Sequence, residues 1–290
     1  MYRKFWLENG IGNLFYLTEK QYNWFLADPD GLGLTINYSS IKLSDSEVIT
    51  SKDYELMTVG GDLLFYAETN EQKYEDYFNF LRFVARTPIY LHYQTPNNTE
   101  SYRTLVQLTN LEKTEVDEDG ILHCPISFKR LSLWFGDTLN VIDVGNEIDN
   151  GKDYPLTRPY SYGAISYENM SILNNGMVEA PLLIEITGSV TDPVYSLSQD
   201  GVVYGRGKII GTYDYVSIDS DDANENIILK VGDSTIANAV NYQDLTVGSP
   251  NEIYVTFLKA RAGISTLRLN LPDGFEGRVR VTWRNAYLSV

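Results

Sequence analysis

The chain has 290 residues, of which 43% are apolar and 21% are charged, and its net charge is −16 at pH 7. This composition predicts a globular protein rather than a disordered one, and the length favours two domains of ordinary size. The negative charge argues against direct binding to nucleic acid or to an anionic membrane surface, since both require a basic protein surface.

Near the start of the chain, Glu8 and Asn9 interrupt the apolar residues before a signal-peptide core can form. No apolar run approaches the about 20 residues of a membrane-spanning helix, so membrane insertion is not expected. The single cysteine, Cys124, lies in an apolar run and is expected to be buried, in a protein made in a reducing cytoplasm. The 22 tyrosines suit either subunit interfaces or ordinary strands, and composition leaves both interpretations open.

The first clear secondary-structure signal predicts a helix at about residues 70–87. Thr69 followed by Gln72 predicts its N-terminal cap, and Pro88 predicts its end. Phe80 and Phe83 lie off the main apolar face, so the helix is expected to be covered on more than one side. The main face is formed by Tyr74, Tyr77, Phe78, Leu81, Val84 and Ala85.

Most of the remaining chain has strand character, and the predicted fold class is mainly β with one substantial helix. A change of alternation near Arg130 predicts a bulge or bend there. Asp200-Gly201 and Gly232 mark the turns of two hairpins. The predicted strands cover residues 34–38, 89–94, 105–111, 121–135, 194–198, 202–206, 227–230, 235–239, 253–258, 265–271 and 277–283.

Polar residues and two prolines crowd residues 144–159 and predict a linker. We therefore expect a first α+β domain at 1–150, which contains the helix, and a second, nearly all-β domain at 151–290. The last strands are expected either to remain in the second domain or to return to the first.

A search for catalytic chemistry predicts no catalytic, cofactor-binding or metal-binding residue. His92 and His123 lie in separate strands without metal-ligand spacing, and a role in structure or on the surface is favoured for both. The glycines at 205, 207 and 211 have the wrong spacing for a phosphate loop and favour a twisted edge strand. The acidic run at 214–225 favours a solvated loop, with calcium binding as the alternative.

The segment at residues 160–193 is typical of a strand placed at a joint between two bodies. It combines a tyrosine-rich approach, an Asn-Gly turn, a strand opened by proline and a Gly/Pro exit. We interpret it as an assembly or structural motif. Its residues are Tyr160, Tyr162, Asn174, Gly176, Pro181, Gly188 and Pro193.

The order of these motifs along the chain resembles the distal tail proteins of long-tailed bacteriophages of Gram-positive hosts, the siphovirus tail component family. The resemblance covers most of the chain in outline, although no single motif is specific. It is carried by residues 15–17, 28–34, 60–65, 74–80, 160–162, 174–188, 192–193, 215–219 and 227–229.

The resemblance implies a structural virion protein at the phage tail tip, not an enzyme. Six copies would form a ring, closed by the first domain, as the hub of the baseplate. The second domain would be a galectin-like β-sandwich that projects outward. The implied partners are the tail tube protein, the tail-associated fibre or lysin protein and the receptor-binding proteins, and no cofactor is implied.

Two other classes of function compete with this interpretation. A carbohydrate-binding protein would use exposed aromatic residues to stack on host saccharides, and Trp283 is the candidate to test. Its alternation with Val279 and Val281 favours a core position instead. A cell-wall hydrolase is the third class, although residue spacing gives no support for paired catalytic carboxylates.

Overall fold

The computed structural model of the chain describes residues 3–96, 99–145, 169–222, 225–239, 257–272 and 275–290. The chain divides into two compact units, one formed by Met1–Thr138 with Ala286–Val290 and one by Leu139–Asn285. The linker predicted at 144–159 lies almost entirely outside the described residues, and the domain limits of 1–150 and 151–290 stay a prediction.

The first unit contains one helix and eleven strands among its described residues. They are β1 (Lys4–Asn9), β2 (Leu14–Tyr16), β3 (Trp24–Asp30), β4 (Thr35–Leu43), β5 (Ser46–Glu55), β6 (Thr58–Phe65), α1 (Asn70–Val84), β7 (Ile89–Gln94), β8 (Tyr102–Leu111), β9 (Leu122–Arg130), β10 (Trp134–Gly136) and β22 (Ala286–Tyr287).

Nine of these strands form one antiparallel sheet, in which the main path runs β2-β1-β7-β8-β9-β6-β3. The two ends of this path meet, because the Leu26 amide of β3 donates to the Leu17 carbonyl just after β2 at 2.7 Å. The rings of Phe15 and Trp24 stack across the same junction with centroids 4.7 Å apart. The sheet thus curls back on itself and leaves little exposed strand edge at this junction.

The helix α1 packs its buried residues onto the core of the first unit. Its cap is as predicted, since the Thr69 hydroxyl accepts from the Gln72 amide at 3.2 Å. The predicted face is partly wrong: Phe78 is exposed, whereas Phe80 is fully buried and meets Phe15 edge-on at 5.1 Å. The helix ends at Val84, three residues before the predicted limit.

The second unit contains eleven strands among its described residues. They are β11 (Asn140–Gly145), β12 (Met170–Asn174), β13 (Ala180–Thr191), β14 (Val194–Gln199), β15 (Val202–Lys208), β16 (Thr212–Asp219), β17 (Asn226–Val231), β18 (Ser234–Ile236), β19 (Lys259–Ala260), β20 (Gly263–Asn270) and β21 (Arg278–Trp283).

These strands form two antiparallel sheets with alternating buried and exposed residues. The larger sheet follows the order β11-β21-β13-β16-β17-β18, with β19 beside β13, and the smaller follows β12-β20-β14-β15. Ile184 and Ile186 of the larger sheet and Leu197 and Leu267 of the smaller one are fully buried. One buried face per sheet is the arrangement of a β-sandwich. The predicted fold class, mainly β with one substantial helix, is confirmed.

Candidate assembly surface

Among the described residues, the most exposed element is the hairpin formed by β4 and β5, which we call the arm. Its two strands pair only with each other in a separate two-stranded sheet. Every residue of β5 and seven of the nine residues of β4 are exposed. At about 3.4 Å per residue, the arm is on the order of 30 Å long.

The outer half of the arm has two distinct faces, because paired residues of an antiparallel ladder point to the same side. Ile41 pairs with Val48, and Leu43 follows on the same side, so this face is apolar. Lys42 pairs with Glu47 on the opposite side, where the Ser40 hydroxyl donates to the Glu47 carboxylate. That opposite side also carries Ile49.

The arm's apolar side chains remain in solvent within a single chain. Ile41 is 58% exposed, Leu43 is 52% exposed and Val48 is 48% exposed. A hairpin of two strands is marginally stable by itself in water, and a contiguous exposed apolar surface marks an interaction site. The arm is therefore the strongest candidate for an assembly contact in the described part of the chain.

The sequence analysis found only the beginning of this arm, as a strand at residues 34–38. It missed β5 because residues 46–55 mix polar and apolar side chains without a buried face. The detectable signal was the Ser44-Asp45 pair between two runs of β-branched residues, since such a pair joins Leu43 to Ser46 in a tight turn.

His123 lies between the carboxylates of Asp62 and Asp117, and the sequence alone did not predict this contact. Its Nδ1 is 2.6 Å from Asp62 Oδ2, and its Nε2 is 3.1 Å from Asp117 Oδ2. The hydrogen bond to Asp62 raises the pKa of His123 against the opposing effect of burial. Hydrogen bonding to the Ile121 amide, with a further contribution from His123, lowers the pKa of Asp117.

His92 has a similar environment but is buried. Its Nε2 is 3.1 Å from Glu8 Oε2, and its Nδ1 is 3.3 Å from Asp137 Oδ2. Burial opposes ionisation of Asp137, but hydrogen bonds from His92 and Ser101 outweigh it and lower the pKa of Asp137. The carboxylates occupy opposite ring nitrogens of each histidine, so these arrangements tie strands together and do not converge on one ion.

Three aspartates of the acidic run at 214–225 form hydrogen bonds or an ion pair with nearby residues. Asp214 accepts from the Gly232 amide at 2.8 Å, and Asp219 accepts from the Asp221 amide at 3.0 Å. Asp222 is paired with Lys259. Across the described residues, no group of three or more His, Cys, Asp or Glu side chains has the arrangement of a metal site.

Two residues of the predicted assembly motif, Asn174 and Gly176, form a turn in which the Asn174 side chain is buried. The Asn174 amide donates to the carbonyls of Val178 at 2.8 Å and Ala260 at 2.9 Å. Its side-chain oxygen accepts from the Gly176 amide at 2.9 Å. These contacts join β12 to β19 and give Asn174 a structural role within the second unit.

The other described residues of the motif shape the long strand β13. Pro181 pairs with Lys259 of β19 near the start of the strand. Gly188 has φ +119° at a shift in the β13–β16 register, a conformation that favours glycine. Pro193 is buried, and its carbonyl accepts from the Ile209 amide at 3.1 Å. Tyr160 and Tyr162 lie outside the described residues, so their role as contact residues stays a prediction.

Trp283 lies in the interior of the second unit. It is 6% exposed, and its indole nitrogen donates to the Leu173 carbonyl at 3.0 Å. A ring that stacks on a saccharide must present its face to solvent, so this environment favours the core role over the glycan-stacking role.

No helix among the described residues is long and apolar enough to cross a membrane. Cys124 is fully buried in the middle of β9, as expected for a small apolar residue. Burial raises the pKa of its thiol to about 12, which keeps the sulfur protonated and unreactive.

Comparisons with known proteins point to one family. Residues 4–131 match the family model described as the N-terminal domain of distal tail proteins. No curated protein sequence matches the chain significantly. The solved baseplate of phage P2 in its activated conformation with Ca contains a chain that is 15% identical, with a TM-score of 0.59 and 100% of both chains covered.

A second solved structure is SPP1 Dit, described as a paradigm of the hub adsorption apparatus in Gram-positive infecting phages. It is 12% identical, with a TM-score of 0.58, and the match covers 96% of this chain and 98% of that one. At these identities the similarity establishes a shared fold over nearly the whole chain.

Proposed function

We propose that the chain is a structural component of a phage tail tip, because residues 4–131 match the N-terminal domain of distal tail proteins. Its copies form a ring that acts as the hub of the baseplate. The ring joins the tail tube on one side to the tail-tip fibre or lysin protein on the other, and it supports the receptor-binding proteins. The chain is accordingly a virion protein assembled in the bacterial cytoplasm.

The exposed arm is the main structural observation that supports ring formation in this proposal. Its apolar face at Ile41, Leu43 and Val48 is exposed in the single chain, and contact with a protein partner would remove this face from water. Identical subunits in a ring offer that partner, because each subunit presents one surface to its left neighbour and a different one to its right neighbour. We propose that each arm lies on the adjacent subunit and that six such contacts close the ring.

The second unit has a different part in this proposal. It is a β-sandwich whose predicted position is on the outside of the ring, where peripheral proteins attach. Tyr160 and Tyr162 are proposed to contact neighbouring parts of the assembly at the joint between the two domains. Asn174, Gly188 and Pro193 hold the start of the sandwich together, as their hydrogen bonds and backbone geometry indicate.

The acidic composition is consistent with a channel through which DNA passes without binding. A net charge of −16 in each chain repels a polyanion, whereas DNA-binding proteins carry a basic surface. We propose that part of this charge faces the channel. A neutral or basic lumen in a reconstruction of the ring would refute this part of the proposal.

Labelling of intact virions tests the location of the protein. Antibodies against the chain are expected to bind at one end of the tail, at the tip, in electron micrographs of the phage particle. Labelling along the tail tube, on the capsid or on no part of the particle would contradict the proposal.

Carbohydrate binding through Trp283 is not favoured, because the ring is buried and its N–H is engaged within the unit. A test of the wild-type chain against purified host cell walls separates the two functions. Retention by the walls that is lost in Trp283→Phe while the fold is kept would favour carbohydrate binding. Release of sugar or peptide from the same walls would reveal a hydrolase.

A further inference from the structure

Strand β9 places one charged residue in the core of the first unit. Buried positions alternate along this strand, and the last of them is Arg130. The earlier members of the series are apolar: Leu122, Cys124, Ile126 and Phe128. Arg130 is 1% exposed, whereas an arginine is almost never fully buried in a soluble protein unless its charge is paired. The alternation of β9 therefore carries a guanidinium group to a position that otherwise takes an apolar side chain.

The residues that share a row with Arg130 are apolar. Val106 of β8 pairs with Arg130, and Ile89 of β7 pairs with Val106. Paired residues point to the same side of a sheet, so these three side chains lie next to one another on the buried face. Both Val106 and Ile89 are buried. The row thus places hydrocarbon, and not a carboxylate, beside the charge.

The guanidinium group has buried donors without acceptors. The Nε and Nη1 atoms of Arg130 are almost inaccessible to solvent and have no hydrogen-bond partner in the described part of the chain. The guanidinium carbon lies 5.5 Å from the centre of the Trp134 ring. This cation–π contact satisfies neither N–H group, and it offsets only part of the cost of removing a full charge from water.

The pKa of Arg130 agrees with an unpaired charge. Burial alone lowers this pKa to about 10, and no carboxylate among the described residues acts in the opposite direction. A group with a pKa of about 10 is still protonated at pH 7. The first unit therefore holds a full positive charge in its core that the described side chains do not neutralise.

A second buried donor lies beside this charge. Trp134 is fully buried, and its indole Nε1 also has no hydrogen-bond partner within the described ranges. The side-chain nitrogens of arginine and tryptophan are donors only. A water molecule must find acceptors for its own two hydrogens, whereas an anion accepts from every donor and balances the charge as well. The pair of Arg130 and Trp134, which we call the core cation site, therefore favours an anion.

We propose that the core cation site binds one small monovalent inorganic anion of the size of chloride. One negative charge matches the single positive charge of Arg130, and a small ion suits a site that is 1% exposed. The Born cost of leaving water grows with the square of the ionic charge, so a monovalent ion enters more readily than sulfate or phosphate. The ion accepts from the Arg130 guanidinium, with the Trp134 indole as the neighbouring donor.

The position of the site in the fold gives the ion a structural effect. Arg130 ends β9, and Trp134 begins β10, which pairs with β8 and β22. An ion held between the two residues stabilises the short connection at residues 131–133 and the packing of β10. Because the unfolded chain lacks the site, the concentration of the anion raises the stability of the fold by mass action. The site belongs to the first unit and does not depend on the ring proposed above.

Thermal unfolding of the full chain in chloride and in gluconate at equal ionic strength tests the proposal, since gluconate is too large for the site. The chloride gain is the melting temperature in chloride minus that in gluconate. At about 200 mM salt it is expected to be about 2–5 °C larger in the wild type than in Arg130→Met, which removes the charge at similar length. Arg86→Met is the matched control, because Arg86 is an exposed arginine of the same unit, and it is expected to keep the wild-type gain.

Crystals of the wild-type chain grown with bromide in place of chloride locate the ion without any variant. The anomalous signal of bromide is expected at hydrogen-bond distance from the Arg130 guanidinium, beside Trp134. Crystals without a bromide peak at this position would overturn the proposal, whatever peaks occur on the surface. An equal chloride gain in the wild type and in Arg130→Met, or an equal loss of the gain in Arg86→Met and Arg130→Met, would overturn it as well. Circular dichroism checks that both variants fold, and the bromide experiment decides the question if Arg130→Met does not.

Discussion

The arm offers the sharpest test of assembly, through the double substitution Ile41→Thr with Val48→Thr. These two residues pair across the apolar face of the hairpin. Threonine keeps the β-branched shape and strand preference, so the hairpin itself is expected to form. The substitution replaces apolar contact with hydroxyl groups only where the arm is proposed to meet the next subunit.

The expected loss of association free energy follows from the exposed fractions of the two side chains. Ile41 is 58% exposed and Val48 is 48% exposed in the single chain, so about half of each side chain remains to be buried on assembly. Complete burial of such a side chain contributes about 1.5–3 kcal/mol. The two residues together therefore contribute about 1.5–3 kcal/mol to each interface, which corresponds to a loss of about 10- to 150-fold in the association constant.

Analytical ultracentrifugation over a range of concentrations measures this change. The wild-type ring is expected to persist at concentrations where the double variant is monomeric. The matched control is Lys42→Thr with Glu47→Thr, which alters the adjacent pair on the opposite face of the same ladder and is expected to have a much smaller effect. If both double variants weakened assembly equally, or neither did, the reasoning about the apolar face would be refuted.

Three further predictions concern the stability of the two units. His123→Gln is expected to lower the melting temperature most between about pH 4 and 6.5. The raised pKa of His123 contributes stability that is lost as the pH rises through that pKa, and the lowered pKa of Asp117 contributes stability that is lost as the pH falls. A destabilising effect that grew toward pH 9 would contradict this sign. Gly188→Ala is expected to lower the free energy of unfolding in urea by about 2–3 kcal/mol, because Gly188 has φ +119° and a new Cβ would lie 2.8 Å from the Cα of Gly277. A loss below about 0.5 kcal/mol would show that the backbone of the bulge adapts to the new side chain. Trp283→Phe is expected to cost about 1–2 kcal/mol because it leaves the Leu173 carbonyl without its donor, and unchanged stability would argue that the indole N–H is dispensable.

Local signals in the sequence predicted local structure well. The Thr69 cap, the Asp200-Gly201 turn and the Gly232 turn all lie where the residue types required them. The bend predicted near Arg130 is also present, since β9 ends at Arg130 and β10 begins at Trp134. In each case the deciding interaction lies within a few residues of the signal.

Long-range features were not predictable because no pattern in one segment specifies its partner. The closure of the first sheet depends on a hydrogen bond from Leu26 to Leu17, and the pairing of His123 with Asp62 joins residues 61 positions apart. The error at Phe78 has a similar cause, since which side of an aromatic-rich helix meets the core depends on the sheet beneath it. The row of Arg130, Val106 and Ile89 likewise exists only once three strands are in register.

The family resemblance predicted a function, whereas the chemistry of individual residues gave little indication of one. No motif in the chain indicated a reaction, and the assignment depended on the order of weak structural motifs. The family match confirms it over residues 4–131, and the similarity of fold extends over nearly the whole chain. The assembly roles proposed for the arm and for the joint at Tyr160 and Tyr162 depend on contacts that a single chain does not contain.

Native mass spectrometry of the full chain, alone and mixed with its tail tube protein, tests the central claim most directly. The chain mass is 32.9 kDa, so a six-membered ring has a mass of about 197 kDa, six times that value. We predict this species in at least the mixture, and its loss in Ile41→Thr with Val48→Thr. A chain that stays monomeric in both samples, or that forms an assembly of another order, would contradict the hexameric hub.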